Sequence, residues 1–169
     1  MPTPQELQAM FDKQAIYEVV MRYSRAVDRI DMELWRSCFH PDATLLFEGL
    51  FRGSVDEMEP TVSQFLNSLD GTMHVISNHF IDVRGDVARG ETYVNSYHWG
   101  TPRDDPQKNF TTGSRYIDRF ERRGGEWRIA DRQCLRSFVR LESGFVTNPP
   151  LEGWPSASRD RTDPVYAPF

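Results

Sequence analysis

A change of period at Gly71 constrains this chain more than any other feature. Before it, apolar residues recur every three or four positions; after it, they alternate. Ile16, Val20, Tyr23, Val27 and Ile30 form one stripe, which predicts a helix over residues 4–30. Asp31 is placed to cap a second short helix, whose stripe is Leu34, Trp35, Cys38 and Phe39 and which Pro41 should stop. "ATLLFEGLFRG" reads as a hairpin turning near Glu48-Gly49. Pro60 suits the first turn of a third helix, with Val62, Phe65, Leu66 and Leu69 on its apolar face and Asp70-Gly71 closing it. Four long strands then follow, at about 72–84, 87–99, 110–122 and 126–140. "RGD" and "RRGGE" are the tight turns within the two pairs, and a polar connection at 100–109 joins them. Helices followed by a meander predict an α+β, cone-shaped single domain over residues 1–142, with N-terminal helices packed on a strongly curved, mainly antiparallel sheet. Such a cone encloses a natural site for a small apolar molecule. Residues 143–169 hold five prolines and no regular period, so they read as an extended tail.

Composition narrows the partners. A net charge of -5 offers no general attraction for nucleic acid or anionic lipid, so neither is expected as a partner. No apolar run approaches the length of a membrane span, and "MPTPQELQAM" lacks the basic flank and apolar stretch of a signal peptide. The expected location is therefore cytoplasmic. Cys38 and Cys134 make no disulfide framework and read as small buried hydrophobes. The 11 Phe, 6 Tyr and 4 Trp can line a pocket as well as fill a core.

Strand parity picks out the polar residues. His74, Ile76, Asn78 and Phe80 should share one face, and Met73, Val75, Ser77 and His79 the other. Both faces are largely apolar, so His74 is expected against a packed interior, where it is either a satisfied core histidine or a proton-transfer group. Asp28 lies at the edge of the first helix's stripe. A buried carboxylate needs a partner, and an imidazole is a suitable one. Asp28 would hold one ring N–H and leave the other nitrogen basic, the His–Asp logic of general-base catalysis without a nucleophile. A solvated Asp28 near a helix end is the plain alternative. Ser96 and His98 share a face with Thr92 and Val94. Arg132 and Arg136 share one with Ala130, Cys134 and Phe138, opposite Trp127 and Ile129. Either arginine can hold an anion or sit at the rim of the sheet.

Other chemistries find little support. The histidines are His40, His74, His79 and His98, with no HxH, HExxH or CxxC pattern; His74 and His79 are expected to face opposite ways, so no metal is expected. There is no nucleophile elbow, P-loop or dinucleotide fingerprint.

"AIYEVVMRYSRAVDRIDMELWRSCFHPDATL", "MHVISNHFIDV" and "GSRYIDRFERRGGEWRIADRQ" together resemble the SnoaL-like branch of the nuclear transport factor 2-like superfamily. The resemblance spans roughly residues 8–140. It is nearest the group of scytalone dehydratase, hexachlorocyclohexane dehydrochlorinase and bile acid 7α-dehydratase. It implies that His74 matches the group's histidine base and Asp28 its aspartate partner. Tyr23 matches the helix tyrosine of the bile acid enzyme. Arg132 matches the arginine of the dehydrochlorinase, while Arg136 better matches that of the bile acid enzyme, and the two stay open. His98 corresponds to the second histidine of scytalone dehydratase. Ser96 stands where the bile acid enzyme has a strand acid, which argues against a steroid substrate. His98, Arg136, Asn78 and Ser96 are thus the substrate-binding candidates, and His74, Asp28, Tyr23 and Arg132 the catalytic ones.

The implied activity is a cofactor-independent elimination on a small cyclic or aromatic substrate, by a dehydratase-like lyase. Tyr23 or His98 would serve the departing oxygen, and an arginine the developing anion. Alternatives are a retro-aldol lyase releasing formaldehyde from a lignin-like aromatic diol, an isomerase, a non-catalytic small-molecule binder, or the small subunit of a ring-hydroxylating dioxygenase. The resemblance also implies a homo-oligomer, a trimer or alternatively a dimer, joined through the outer face of the sheet. The tail is expected over the mouth of the cone or on a neighbouring subunit.

Overall fold

The computed structural model describes residues 1–47, 49–102, 104–142 and 158–167. Helix α1 (Pro4–Arg29) starts at a Thr3–Glu6 capping box. It ends where Ile30 turns left-handed at φ 53°, which lets Asp31 N–H bond the Ala26 carbonyl at 2.9 Å. Asp31 then caps the short α2 (Met32–Ser37). The second helix stops before Cys38, ahead of the expected Pro41: Phe39 already pairs with Ile129, and Pro41 lies within β1 (Phe39–Phe47). Strand pairing has overridden the weak helical stripe there. β1 turns back into β2 (Phe51–Ser54); Glu48 of the expected turn lies outside the described residues, and Gly49 carries the positive φ. Helix α3 (Val55–Asn67) begins earlier than Pro60, because Ser54 and Glu57 form a second capping box; Pro60 is interior.

β3 (Gly71–Arg84), β4 (Val87–Trp99), β5 (Phe110–Arg123) and β6 (Glu126–Leu141) form the expected antiparallel meander. The sheet order is β2-β1-β6-β5-β4-β3, with β1 parallel to β6 and every other pair antiparallel. The sheet is curved and unclosed, and the three helices pack on it. The core between them is built on Ile16, Val19, Val20, Trp35, Phe120 and Ile129, all fully buried.

Three bulges decide which side chains face that core. Across β3 and β4, Ile76 pairs with Val94 but His79 with Thr92, so Ser77 and Asn78 oppose a single residue. The bulge reverses the parity: His79, not Asn78, shares the inner face with His74, and Asn78 is exposed. On β6, Arg119 pairs with Asp131 and Phe120 with Ile129, which leaves Ala130 as the extra residue. Trp127, Ile129 and Arg132 therefore all point inward, where strict alternation had separated them. The third bulge falls at Ser137, between Arg136 opposite Ser114 and Phe138 opposite Gly113.

Candidate active site

The register stacks the inner-face residues in rows across the sheet. One row runs Thr72, His98, Phe110, Leu141, and the next His74, Ser96, Thr112, Val139. Then come Ile76, Val94, Ser114, Arg136, followed by His79, Thr92, Tyr116, Cys134, and by Ile81, Gly90, Asp118, Arg132.

Asp28, near the C-terminus of α1, reaches the first two rows. Its Oδ1 accepts from His74 Nδ1 at 2.7 Å and from Thr72 Oγ1 at 2.9 Å, and its Oδ2 from the His74 backbone N–H at 2.9 Å. Both side chains are nearly enclosed, 10% exposed for His74 and 14% for Asp28. Three donors offset the cost of burying the carboxylate. Because Asp28 serves as acceptor, the hydrogen of a neutral His74 ring sits on Nδ1, which leaves the lone pair on Nε2. Among the described residues, Nε2 makes no hydrogen bond. A neutral ring held in this way can accept a proton at Nε2. Thr72 was missed in the sequence, although it has the parity of His74.

His98 completes this group. Its ring lies edge-on to His74, with centroids 6.0 Å apart, and stacks on Phe110 at 4.2 Å. Phe65 of α3 covers it at 5.7 Å. His98 Nδ1 lies 3.3 Å from the Phe110 carbonyl, which can only accept, so this nitrogen also carries the hydrogen. Burial, followed by the neighbouring His74, pushes the pKa of His98 down to about 4. At neutral pH His98 thus offers an acceptor through its other ring nitrogen. Ser96 sits between the two histidines on the inner face and is buried. Arg136 lies one row on and is exposed. Val139 and Leu141, at the inner ends of the histidine rows, are 45% and 63% exposed, so this end of the cone meets solvent.

Tyr23 and Arg132 form a separate cluster deeper along the strands. Arg132 is fully buried and bonds Asp118 twice, Nε to Oδ1 at 2.8 Å and Nη2 to Oδ2 at 2.7 Å. Its guanidinium lies between the rings of Tyr23 and Tyr116, 4.2 and 4.1 Å from their centroids. Burial alone would lower its pKa; the Asp118 charge and hydrogen bonds outweigh that and raise it. Burial raises the Tyr23 and Tyr116 hydroxyls as well. Arg132 stands three rows from His74 with its charge already matched, so the structure does not gather it with the dyad. Asp118 and Tyr116 were not singled out from sequence, although their alternation down β5 marks them as facing the same side.

His79 bonds Thr92 Oγ1 through Nδ1 at 2.8 Å and meets Tyr17 edge-on at 5.5 Å. Among the described residues, no three His, Cys, Asp or Glu side chains gather as metal ligands, and no helix is long and apolar enough to cross a membrane.

A curved sheet with helices on its inner face, and polar groups lining that face, defines a class of cone-shaped α+β proteins. Within it, the model of the SnoaL-like domain matches residues 8–133, and the chain belongs to that family. Solved structures share the fold. A type 3 hexachlorocyclohexane dehydrochlorinase (LinA) from Novosphingobium barchaimii is similar over 85% of this chain and 99% of its own, with a TM-score of 0.74 and 18% identity. A scytalone dehydratase candidate from Novosphingobium aromaticivorans matches 88% of this chain and 97% of its own, at TM-score 0.71 and 19% identity. A protein from Kribbella flavida, Kfla4162, matches 78% and 95%, at 0.71 and 19%. At these identities the likeness is one of fold. Curated protein sequences yield no match.

Proposed function

We propose that this protein is a cofactor-independent lyase that eliminates water, or a related leaving group, from a small cyclic or aromatic substrate. The reading rests on one observation: a histidine whose Nδ1 is held by a largely enclosed carboxylate at 2.7 Å while its Nε2, among the described residues, makes no hydrogen bond. His74 Nε2 takes the proton from a carbon beside an activating group. The C–H electrons form the double bond as the carbon–oxygen bond breaks. The protonated His74 then returns the proton to the departing hydroxide, so the net loss is water. His98 accepts a hydrogen bond from a substrate hydroxyl, and the exposed Arg136 meets charge developing on a carbonyl. The rings of Phe65, Phe110 and His98 suit a planar substrate face. Two fold neighbours, a dehydrochlorinase and a scytalone dehydratase candidate, are named for eliminations too.

The test is a panel of cyclic alcohols bearing an acidified C–H, followed by mass spectrometry for loss of water. Wild-type protein should convert at least one member, and His74→Ala should fall by about 10²–10⁴-fold. Equal conversion by the two proteins would remove His74 from the mechanism and this function with it.

A further inference from the structure

Arg159, in the aperiodic C-terminal segment, touches no part of the reacting group, yet it sits where the two halves of the dyad enter the site. Its Nη1 donates to the Leu66 and Leu69 carbonyls, each at 2.9 Å, and its Nε to the Asp28 carbonyl at 3.4 Å. Leu66 and Leu69 lie at the C-terminal end of α3 and just beyond it, on the stretch that leads through Gly71 into Thr72 and His74. Asp28 is on the last turn of α1. One guanidinium therefore joins the chain segment carrying the carboxylate to the one carrying the imidazole. It also brings positive charge to two helix C-termini, whose unsatisfied carbonyls favour it. Burial lowers the Arg159 pKa, and the nearby Asp28 charge acts against that.

The segment bearing Arg159 is itself anchored, so the contact is built rather than incidental. Asp163 is buried; it accepts from Ser158 N–H at 3.0 Å and Val165 N–H at 3.1 Å, and pairs with Arg29 at 3.3 Å. Tyr166 donates its hydroxyl to Asp31 at 3.1 Å, and its ring lies between Arg25 and Arg161, 5.0 and 4.8 Å from their guanidinium carbons. These attachments all fall beside the end of α1, on this same chain.

We propose that Arg159 is a positioning residue for the His74–Asp28 pair: by clamping the end of α1 to the entry of β3, it holds Asp28 within hydrogen-bond reach of His74. The inference rests on the dyad reading above. The separation between these two groups depends on how the C-terminal turn of α1 lies against the start of β3. Thr72 and the His74 backbone fix the carboxylate on the strand side, and Arg159 fixes the helix backbone behind it.

The test uses no substrate. In proton NMR of the full chain with ¹⁵N-labelled histidine, the His74 Nδ1–H bonded to Asp28 should give a downfield, slowly exchanging resonance, assigned by its loss in His74→Ala and in Asp28→Asn. Arg159→Gln should lose that signal through exchange while keeping its circular dichroism and the other histidine signals. Asp163→Ala, which frees the segment without changing the guanidinium, should lose it too. Guanidinium ion added at millimolar concentration to Arg159→Gln should restore it in part. Wild type lacking the resonance would remove the dyad reading and this inference together. A wild-type resonance that persists in folded Arg159→Gln would leave the dyad standing and overturn the clamp. Should Arg159→Gln fail to fold, a signal retained in Asp163→Ala would overturn it as well.

Discussion

His74 and Asp28 act as one unit if Asp28 serves only to orient and charge-balance the ring. Each single variant, His74→Ala or Asp28→Asn, should then lower turnover by about 10²–10⁴-fold, and the double variant by little more than the worse single. Steady-state kinetics on all four proteins decide this; losses that multiply would show independent roles. Asn78→Ala should leave turnover unchanged, since the bulge turns Asn78 outward. His98 predicts a pH dependence of stability. Its folded pKa of about 4 lies below the ordinary 6.5, so the unfolded chain binds the extra proton first. Stability is full above about pH 6.5 and falls as the pH drops toward 4, by about 2 kcal/mol at pH 5. Urea unfolding at pH 7 and pH 5 should show a loss in wild type that exceeds the loss in His98→Gln by about that amount, since His40 and His79, also lowered by burial, remain in both.

Among the elements, the strands carry the polar clusters and the helices close them in. The Arg132–Asp118 pair between β5 and β6 is fully enclosed, so Asp118→Asn would leave a buried cation unmatched. The expected cost is about 3–5 kcal/mol, measured by chemical denaturation. Most of these elements were legible in the sequence because their signals are local. Period-2 alternation located the four long strands to within a residue or so, and Asp31 marked the start of α2. The start of α3 lies before the position Pro60 suggests, where Ser54 and Glu57 carry the spacing of a capping box. The short α2 ended early because a stripe of that length is weaker than pairing with β6.

At the scale of the whole molecule, the outer face of the sheet carries an exposed apolar patch beside charged residues such as Arg89, Glu91 and Arg115. Met73, Val75, Phe80, Tyr93 and Phe138 project from it, each between 41% and 70% exposed. A patch of this kind calls for a covering partner, and we propose a second copy of the chain. Light scattering should report an oligomer for wild type and a smaller species for Phe80→Glu; an unchanged mass would place the contact elsewhere. The tail expectation divides in two. Residues 143–157 lie outside the described residues, whereas residues 158–167 pack beside the end of α1 on their own chain.

Fold class, the order of the elements and the two residues worth pairing are legible in the sequence. Each of those depends on short-range periodicity or on the cost of burying a charge, and neither requires a partner at known distance. Which groups meet depends on how the chain packs in three dimensions. A bulge adds one residue and reverses every side chain beyond it, so inner and outer faces of β3 and β6 could not be read by counting alone. That is why His79 and Asn78 exchanged faces, and why Trp127 and Ile129 joined Arg132 inside. Arg132 carries the same charge in any sequence reading; Asp118 and Tyr116 from β5, with Tyr23 from α1, fix how that charge is spent. Arg159 had no signal at all, since an aperiodic segment declares its partners only where the chain folds back on itself.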